Sequence, residues 1–457
     1  MKQHKVAILG AGLTGLAAAS VLQDTAIIFE MTDRPGGLVK TENHNNYWFD
    51  HVLHLLHFQQ MTPVEERIKA IVGDEDLHPI YPEAWVETDQ GHCRYPLQMH
   101  LSGLNTETVI SVLRDLALVT FSADKSPPKN FEEMLTKSFG HAFCKLFMLP
   151  YNRKVWKRPL DNLAPSGFQW NIDHPDFNQV LRGALSDHTD FKAYNSNGWY
   201  PRPPKSAALR GMEVLSRRLA DHVQNLKLDH EVKEIDLDSK KITVLHKGKE
   251  QEYYYTDGCL STIPLPVLVE RTKDLPAELL MRKELLKSNR VISVMLSIQG
   301  PRPKNRGHWR YYPQEELSFT RLIYMHNFDP DSAPAEGWGL MTEITEPSEW
   351  PMKNNQDIIE KTIRDIKLCK ALPSDCRIIA TDLLVINPAY VVFTNESKKY
   401  VEELKSYYAS KGLTLLGRYG QWEYSSMAQV IRDGFAWADK VMENSSSDIM
   451  VSKLIHP

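Results

Sequence analysis

The stretch of sequence that decides the fold reads Lys5-Val-Ala-Ile-Leu-Gly10-Ala-Gly-Leu-Thr-Gly15-Leu-Ala-Ala-Ala-Ser20-Val-Leu-Gln-Asp-Thr25-Ala-Ile-Ile-Phe-Glu30. The short apolar run before the glycines predicts a buried strand, and the longer apolar run after them predicts a helix. A second short apolar run then ends in an acidic residue. This order of strand, glycine turn, helix, strand and acid is typical of a dinucleotide site.

The three glycines of this turn have separate tasks. Gly10 makes the tight turn, Gly12 leaves room for a pyrophosphate beside the backbone, and Gly15 lets the helix pack close to the strand. The helix N-terminus then faces the phosphates with its partial positive charge, and Glu30 can accept a hydrogen bond from a ribose hydroxyl. An ordinary glycine turn in a βαβ unit would not account for Glu30. We therefore predict cofactor contacts at Gly10, Gly12, Leu13, Thr14, Gly15 and Glu30.

A second glycine pair follows the acid, in Asp33-Arg-Pro-Gly-Gly37. Residues without side chains let the chain lie against a bound ligand, and Arg34 can offer a fork of donors to a phosphate. The stretch resembles the FAD fingerprint of glutathione-reductase-type flavoproteins, in which Arg-x-Gly-Gly follows the ribose acid. NAD-dependent dehydrogenases usually lack this element. The resemblance implies FAD as the cofactor, with contacts at Arg34, Gly36, Gly37 and Leu38.

Length and composition narrow the class of protein. With 457 residues the chain is long enough for two domains and a large core. A charged fraction of 25% and a formal net charge of −4 give no indication of a nucleic-acid or acidic-membrane partner. The five cysteines are scattered and form no Cys-x-x-Cys motif, which favours reduced thiols in a cytoplasmic protein.

The same sequence indicates no membrane-spanning helix and no export signal. No apolar run approaches the roughly eighteen residues that a spanning helix needs. The N-terminus goes straight into the first strand, which leaves no room for a cleavable signal peptide. We therefore expect a cytoplasmic location. A peripheral membrane contact through an apolar helix and an oligomeric state both stay open.

The pattern changes after the first sixty residues. Helical spacing of apolar residues over 106–121 and 130–147 does not continue a parallel sheet, whereas 259–264 and 413–416 read as buried strands. We therefore predict an α/β protein built from two domains. A glutathione-reductase-type Rossmann FAD-binding domain (1–60, 205–268 and 395–457) carries an inserted α+β substrate domain (61–204 and 269–394).

Three histidines, His51, His54 and His57, recur at a spacing of three. We predict no metal site, because His51 and His57 would lie well apart around a helix and no acid or cysteine cluster joins them. The stretch is similar to the Gly-x-His-x-x-His motif of UDP-galactopyranose mutases, with Val52 in place of the glycine. This resemblance implies a loop laid over the flavin, with His54 at the flavin face.

Aromatic and cationic side chains crowd the stretch Tyr151-Asn-Arg-Lys-Val-Trp-Lys-Arg158. One interpretation is a solvated basic face whose aromatic rings anchor it in the core. The other is a wall over the flavin that suits a flat or anionic substrate. Tyr-Asn-x-Lys-x-Trp resembles a stretch of UDP-galactopyranose mutases and protoporphyrinogen-oxidase-like proteins, both in the flavin amine oxidase superfamily. The resemblance implies substrate contacts at Tyr151, Lys154 and Trp156.

An arginine stands in the middle of an apolar strand, in Phe319-Thr-Arg321-Leu322. Burial of this charge is costly unless it is paired, so its partner is either a fixed carboxylate or a ligand anion, and both stay open. The four residues match the aromatic-Thr-Arg-apolar stretch of the mutases, in which the arginine grips the substrate diphosphate. Related oxidases also carry Arg-Leu here. The resemblance implies that Arg321 contacts the substrate.

Further cofactor contacts follow from the same resemblance. Val232, in a predicted hairpin, would hold the adenine edge through its main chain. Gly417 and Arg418 follow the last buried strand, and Met427 opens the last helix. The N-terminus of that helix makes an anion seat for the ribityl and pyrophosphate end of the flavin. Two acids that the mutases carry beside this methionine are absent here.

Three functions are compatible with these residues, since a flavin carries the redox chemistry and the protein positions it. They are an FAD-dependent oxidoreductase that moves a hydride to flavin N5, a redox-neutral sugar-nucleotide mutase, and a non-catalytic flavoprotein. The cations favour a small anionic substrate such as a nucleotide sugar. The altered histidine loop and the absent acids count against a mutase. We therefore predict the oxidoreductase, with His54, Arg321 and Arg418 as catalytic residues.

Overall fold

Two large β-sheets organise the chain. The computed structural model describes residues 2–51, 53–165, 175–186, 197–304 and 307–455, with side chains from residue 3 to residue 444. Within these residues each large sheet has seven strands, and two small sheets have two strands each. The two large sheets and the helices packed on them position everything described below.

The strands and helices are numbered separately, in chain order. The strands are β1 (Lys2–Leu9), β2 (Ala26–Phe29), β3 (Thr41–His44), β4 (Tyr47–Asp50), β5 (Leu77–Ile80), β6 (Ala84–Thr88), β7 (Gly91–Arg94), β8 (Gly198–Pro201), β9 (Leu226–Lys227), β10 (Glu231–Asp236), β11 (Lys241–His246), β12 (Lys249–Ser261), β13 (Ser288–Gln299), β14 (Trp309–Tyr311), β15 (Arg321–Tyr324), β16 (Gly337–Pro347), β17 (Arg377–Val391) and β18 (Leu413–Leu415). The α-helices are α1 (Leu13–Leu22), α2 (Thr62–Val72), α3 (Thr106–Thr120), α4 (Phe131–Phe139), α5 (His141–Phe143), α6 (Leu149–Trp156), α7 (Phe177–Leu185), α8 (Glu213–Asp221), α9 (Leu265–Arg271), α10 (Ala277–Leu280), α11 (Met325–Phe328), α12 (Asn355–Leu368), α13 (Asn395–Ser410) and α14 (Met427–Ile455).

The first large sheet has the order β10-β11-β12-β1-β2-β9, and β18 pairs with β12. Its centre is parallel, because β1 pairs in parallel with both β2 and β12, and β12 pairs in parallel with β18. All four residues of β2 are buried, as expected for a strand covered on both faces. The predicted α/β fold of the Rossmann type is confirmed, as are the hairpin β10–β11 and the last buried strand.

Helix α1 follows β1 directly and packs against the long helix α14. Its side chains are small, with Ala17, Ala18 and Ala19 all buried. Gly434 of α14 lies against the main chain of Thr14, so a methyl group there would overlap the carbonyl oxygen of Thr14. The small residues on both helices therefore allow a close approach, which brings the end of the chain back to the first glycine turn.

The second large sheet has the order β17-β13-β16-β15-β14-β6-β7. It is antiparallel apart from the parallel pair β14–β6. Strand β16 is buried over its whole length. The first sheet takes its strands from 2–29, 226–261 and 413–415, and the second from 84–94 and 288–391. The predicted boundaries of the two domains stay a prediction.

One helical segment differs from the sequence prediction. Residues 130–147 were predicted as one helix, but α4 ends at Phe139 and a short π-helical turn occupies Cys144–Met148. Gly140 interrupts the helix with a φ of +77°, a backbone conformation that favours glycine. A side chain at this position would also come within 2.9 Å of the Asp115 main chain. The break therefore comes from a tertiary contact that apolar spacing does not reveal.

Across the described ranges, no helix is both long enough and apolar enough to cross a lipid bilayer.

A half-buried histidine joins the start of β14 to the loop before β6. The main-chain N–H of Glu83 donates to His308 Nδ1 at 3.0 Å. The main-chain N–H of His308 donates back to the Glu83 carbonyl at 2.7 Å. Burial, aided by nearby Arg202, lowers the pKa of His308 to about 4. Protonation at Nδ1 would remove the acceptor for Glu83, so the fold requires the neutral imidazole.

We expect this histidine to make stability depend on pH. Because the folded pKa of about 4 lies below the ordinary histidine pKa of 6.5, the unfolded chain binds the proton first as pH falls. The contribution of neutral His308 is complete above pH 6.5 and is lost toward pH 4, by about 2–3 kcal/mol. Urea unfolding of wild type and of His308→Gln across this range checks it. Equal pH dependence in both proteins would contradict the assignment.

Candidate active site

The turn after β1 has the geometry that the three glycines predicted. Gly10 has a φ of +96°, and a Cβ there would lie 2.6 Å from the Thr262 hydroxyl oxygen. A Cβ at Gly15 would overlap the carbonyl oxygen of Gly10, so this glycine permits the close packing of helix on strand. A Cβ at Gly12 would meet no atom within 4 Å. The second glycine therefore borders open space.

The second glycine pair lies directly against this turn. Gly36 N–H donates to the Ala11 carbonyl at 2.8 Å, and Gly36 forms an isolated parallel bridge with Gly12. A Cβ on Gly37 would lie 3.2 Å from Gly12 Cα. Gly12 is also the N-cap of α1, and no side chain caps that end. The first main-chain N–H groups of α1, at Leu13 and Thr14, are therefore available to an anion.

Glu30 is held in a fixed orientation beside the turn. One carboxylate oxygen accepts from Ala11 N–H at 3.0 Å, and the other accepts from Thr32 N–H at 3.0 Å and from the Thr32 hydroxyl at 2.8 Å. Lys40 donates to the same hydroxyl oxygen at 2.9 Å. Lys40 and Thr32 were not singled out by sequence. Their only local signal is nearness in sequence to Glu30 and the second glycine pair.

Arg34 is engaged with protein carboxylates. It donates to Glu42, to Glu213 at 3.0 Å and to the Thr41 carbonyl at 3.1 Å, and its side chain is 25% exposed. A phosphate contact would have to share this guanidinium with two anions. The predicted contact of Arg34 with a phosphate stays a prediction. The same holds for the predicted cofactor contact of Leu38, four residues further along the chain.

The turn after β18, at the end of the first sheet, lies beside the first glycine turn. We call the glycine turn, the second glycine pair, Glu30 and this turn the cradle. A Cβ on Gly417 would lie 2.8 Å from the Thr14 hydroxyl oxygen, so the turn after β18 touches the start of α1. The guanidinium carbon of Arg418 lies 4.7 Å from the centre of the Tyr424 ring, and its Nη2 lies 3.5 Å from the Ala389 carbonyl oxygen. Its buried Nε has no hydrogen-bond partner within the described part of the chain.

The other predicted cofactor residues lie on the same elements. Val232 is buried in β10, two residues after His230, whose N–H donates to the Glu30 carbonyl at 2.8 Å. Met427 is the first residue of α14, preceded by Ser426, whose hydroxyl accepts from Gln429 N–H at 3.3 Å. Val232 therefore lies on the strand that follows the Glu30 contact, and the cofactor contacts of Val232 and Met427 stay predictions.

These features fit FAD. The open space at Gly12, the uncapped N-terminus of α1 and the unpaired Nε of Arg418 are places where a pyrophosphate and a flavin edge would find room and donors. Glu30 presents a fixed carboxylate to a ribose.

The histidine loop does not gather its three histidines into one site. His51 is paired with Glu42, His57 contacts the Asn197 carbonyl, and His54 is exposed. The loop bonds to β8 through Leu56 and Trp199. Among the residues that the structure describes, no group of three or more His, Cys, Asp or Glu side chains could hold a metal ion. Val52 lies outside the described residues, and the role of His54 stays a prediction.

Arg321 has a fixed carboxylate as its partner. Its Nε donates to Glu343, and the two residues stand directly opposite each other on β15 and β16. The Tyr390 hydroxyl donates to the other carboxylate oxygen. Burial disfavours the charged guanidinium, but Glu343 outweighs this and raises the pKa of Arg321. Of the two alternatives left open by sequence, the structure has the fixed carboxylate.

Glu343 and Tyr390 were missed in the sequence analysis. The sequence does carry a signal for Glu343, because this acidic residue stands inside the apolar run Leu340-Met-Thr-Glu-Ile344. In the same way, Arg321 is a basic residue inside another apolar run. Opposite charges in two buried strands favour pairing of those strands. The register that places them side by side is not readable from either strand alone.

Tyrosines surround this ion pair. Tyr311 is opposite Arg321 on β14, so Tyr311, Arg321 and Glu343 lie side by side across three strands. The rings of Tyr151 and Tyr311 meet edge to face at 5.6 Å. Phe147 stacks on the other side of Tyr151 at 5.2 Å. We call Tyr151, Tyr311 and Tyr390 the tyrosine wall. The predicted wall over the flavin stays a prediction.

Lys154 and Trp156 face the protein interior. The Lys154 ammonium donates to three main-chain carbonyls, those of Tyr312, Gln314 and Phe319, at 2.7, 2.7 and 2.6 Å. Trp156 is 0% exposed. A substrate contact would require Lys154 to give up these bonds or Trp156 to leave the core. Their predicted substrate contacts are not supported by these positions and stay predictions.

A continuous path joins the glycine turn to the tyrosine wall. Gly417 touches Thr14, Arg418 reaches the Ala389 carbonyl, and the next residue, Tyr390, bonds to the partner of Arg321. We therefore treat the cradle and the tyrosine wall as one candidate site. Fold and site together define a dinucleotide-dependent enzyme of the flavoprotein class.

Comparison with known families agrees with this class. The family described as flavin containing amine oxidoreductase matches residues 13–442. The chain belongs to this family, and its cofactor is FAD. It is accordingly an FAD-dependent enzyme, in a family and fold shared by oxidoreductases and a flavin-dependent mutase.

Solved structures share the fold over nearly the whole chain. Reduced UDP-galactopyranose mutase superposes with a TM-score of 0.87 at 22% identity, covering 96% of each chain. A structure assigned to a protoporphyrinogen oxidase of Exiguobacterium sp. 255-15 gives 0.70 at 15%, covering 96% of this chain and 98% of that one. Cyclohexylamine oxidase from Brevibacterium oxydans IH-35A gives 0.63 at 13%, covering 97% and 99%.

Two glycine substitutions distinguish a glycine that leaves space for the cofactor from a glycine that lets the helix pack on the strand. We expect Gly12→Ala to leave the apo-protein as stable as wild type, because its methyl group meets open space. The same methyl should weaken FAD binding at least about tenfold by occupying pyrophosphate space. Gly15→Ala should instead destabilise the apo-protein by about 1–3 kcal/mol through overlap with Gly10. Flavin fluorescence titration and thermal melting measure both, and wild-type FAD affinity in Gly12→Ala would refute the cradle.

The position of Lys154 predicts a structural effect. Lys154→Met leaves three buried carbonyls without this donor, so we expect a loss of about 2–4 kcal/mol in unfolding free energy. The exposed neighbour Lys157, changed to Met, is the matched control and should change stability little. Chemical denaturation of both holoproteins checks this. Unchanged stability of Lys154→Met, with substrate affinity lost, would favour the predicted substrate contact instead.

Proposed function

We propose that the protein is an FAD-dependent oxidoreductase that removes a hydride from a small molecule bound between the cradle and the tyrosine wall. Bound FAD supplies the acceptor for this hydride. The substrate loses a C–H bond and, from the neighbouring heteroatom or carbon, a proton. The chain positions the substrate, holds the flavin and excludes water from the site.

The observation that carries this choice is the pairing of Arg321 with Glu343. The resemblance to the mutases implies an arginine that grips a diphosphate, whereas here Arg321 donates to a carboxylate. The mutases' two acids before the last helix are also replaced, by Ser426 and Ala428. The cations Arg321 and Arg418 favoured an anionic substrate when only the sequence was considered. The Arg321–Glu343 ion pair counts against a substrate anion beside Arg321.

The roles of the side chains follow from their positions. Arg418, with its unpaired Nε beside the cradle, is proposed to hold the flavin edge. Tyr151 and Tyr311 present ring faces and edges that can orient a flat or aliphatic substrate. His54 is exposed and is proposed to cover the flavin when the site is loaded.

A cytoplasmic location belongs to the same proposal. Cys144 and Cys259 are buried thiols. Free thiols are typical of reducing compartments.

A second candidate is a sugar-nucleotide mutase that works with reduced flavin. The structural likeness to reduced UDP-galactopyranose mutase, with a TM-score of 0.87, supports it. Gly417, Arg418 and Met427 also stand where the resemblance to the mutases places them.

Anaerobic mixing with a substrate panel tests both candidates. The panel contains primary amines, polyols and UDP-sugars, and the oxidised flavin band is followed by absorbance. We expect a member of the panel to bleach this band without added reductant, because a hydride donor reduces the flavin in one turnover. Isomerisation of a UDP-sugar only after dithionite reduction would establish the mutase instead. Failure of every member in both formats would end both candidates for these substrates.

A further inference from the structure

We infer that Lys40 is a positioning residue for the cofactor: its ammonium fixes the Thr32 hydroxyl, and through it the Glu30 carboxylate, in the orientation that a ribose of FAD requires. Lys40 acts through these two side chains rather than by touching the cofactor. The role concerns how FAD is held, so it goes beyond the proposed reaction and does not depend on it.

Three side chains, those of Lys40, Thr32 and Glu30, form a relay that ends on the ribose acid. The Lys40 ammonium donates to Thr32 Oγ1 at 2.9 Å, and the Thr32 hydroxyl donates to a Glu30 oxygen at 2.8 Å. The same hydroxyl lies 2.8 Å from the Arg34 carbonyl oxygen, but it has one proton for the two acceptors. Because a bond to a charged acceptor is stronger, the proton goes to Glu30 as long as Thr32 keeps this position.

Lys40 is held through both its main chain and its side chain. Its main-chain carbonyl accepts from His51 N–H at 2.9 Å, and its side chain returns to Thr32, eight residues earlier in the chain. The residue is only 7% exposed. Burial of an ammonium is costly unless a group of opposite charge lies nearby. The position therefore indicates a task that a neutral side chain does not fulfil.

The charges around Lys40 show which partner it serves. Burial lowers the pKa of the Lys40 ammonium, and the negative charge of Glu30 is the largest effect that opposes this. Glu213 opposes it as well, but less. Arg34, the other cation of this segment, is taken up by Glu42 and Glu213. Lys40 is therefore chiefly the countercharge of the ribose acid.

A carboxylate held in this way is ready for a ribose. The other oxygen of Glu30 accepts from Ala11 N–H of the glycine turn at 3.0 Å, so both oxygens have a fixed place. The lone pairs that stay open then point in fixed directions, and a ribose hydroxyl meets them without prior ordering of the side chain. Without Lys40 the Thr32 hydroxyl is free to turn to the Arg34 carbonyl, and Glu30 has to be ordered each time FAD binds.

Release of FAD from the diluted holoprotein, followed by flavin fluorescence, tests the relay without turnover. We expect Lys40→Met, which keeps the length of the side chain and removes its charge, to raise the Kd for FAD about five- to tenfold. The exposed Lys5 on β1, changed to Met, is the matched control and should keep the wild-type Kd. In a Glu30→Gln background, Lys40→Met should cost less than about twofold, because the relay has lost its end.

Thr32 provides a second test that holds even where Lys40→Met does not fold. Thr32→Val removes the hydroxyl at constant shape and should weaken FAD binding as Lys40→Met does, whereas Thr32→Ser keeps the hydroxyl and should stay within about twofold of wild type. Equal weakening by both Thr32 variants overturns the inference. So does a wild-type FAD affinity in Lys40→Met, even with a lower melting temperature, because the lysine would then be purely structural. A full loss from Lys40→Met in the Glu30→Gln background overturns it too, since Lys40 would then contact the cofactor directly.

Discussion

The contact on which the structure depends is the close approach of main chain to main chain around Gly12. The helix start packs on Gly10, the second glycine pair lies against Ala11 and Gly12, and the turn at Gly417 touches Thr14. Side chains at Gly10, Gly15 or Gly417 would push apart segments from the beginning, the middle and the end of the chain. The absence of side chains thus creates both the junction of the first sheet and the room for a diphosphate.

The second sheet depends on a different constraint, the burial of charge. Arg321 stands in an apolar strand, and an unpaired guanidinium there would be strongly destabilising. The register of β15 and β16 supplies Glu343 directly across, and Tyr390 from β17 completes the carboxylate's hydrogen bonds. The register of these strands therefore makes the burial of the Arg321 charge possible.

The parts of the fold that were predictable depend on local pattern. The strand–turn–helix at 5–22, the hairpin of β10 and β11, and the last buried strand β18 follow from apolar spacing and glycines. The long helix predicted over 130–147 was wrong because Gly140 packs on Asp115, a contact between distant segments. Lys154 shows the same limit, since its three carbonyl partners come from residues far along the chain.

The sequence by itself determined the glycine turn and the cofactor class, since the roles of Gly10, Gly12 and Gly15 depend on main-chain geometry within one short unit. It also determined the family, through motifs that stay together along the chain. Only the tertiary structure decided the partner of Arg321. Whether a buried arginine is free or paired depends on which residue the neighbouring strand places opposite it, and strand register is a property of the folded sheet.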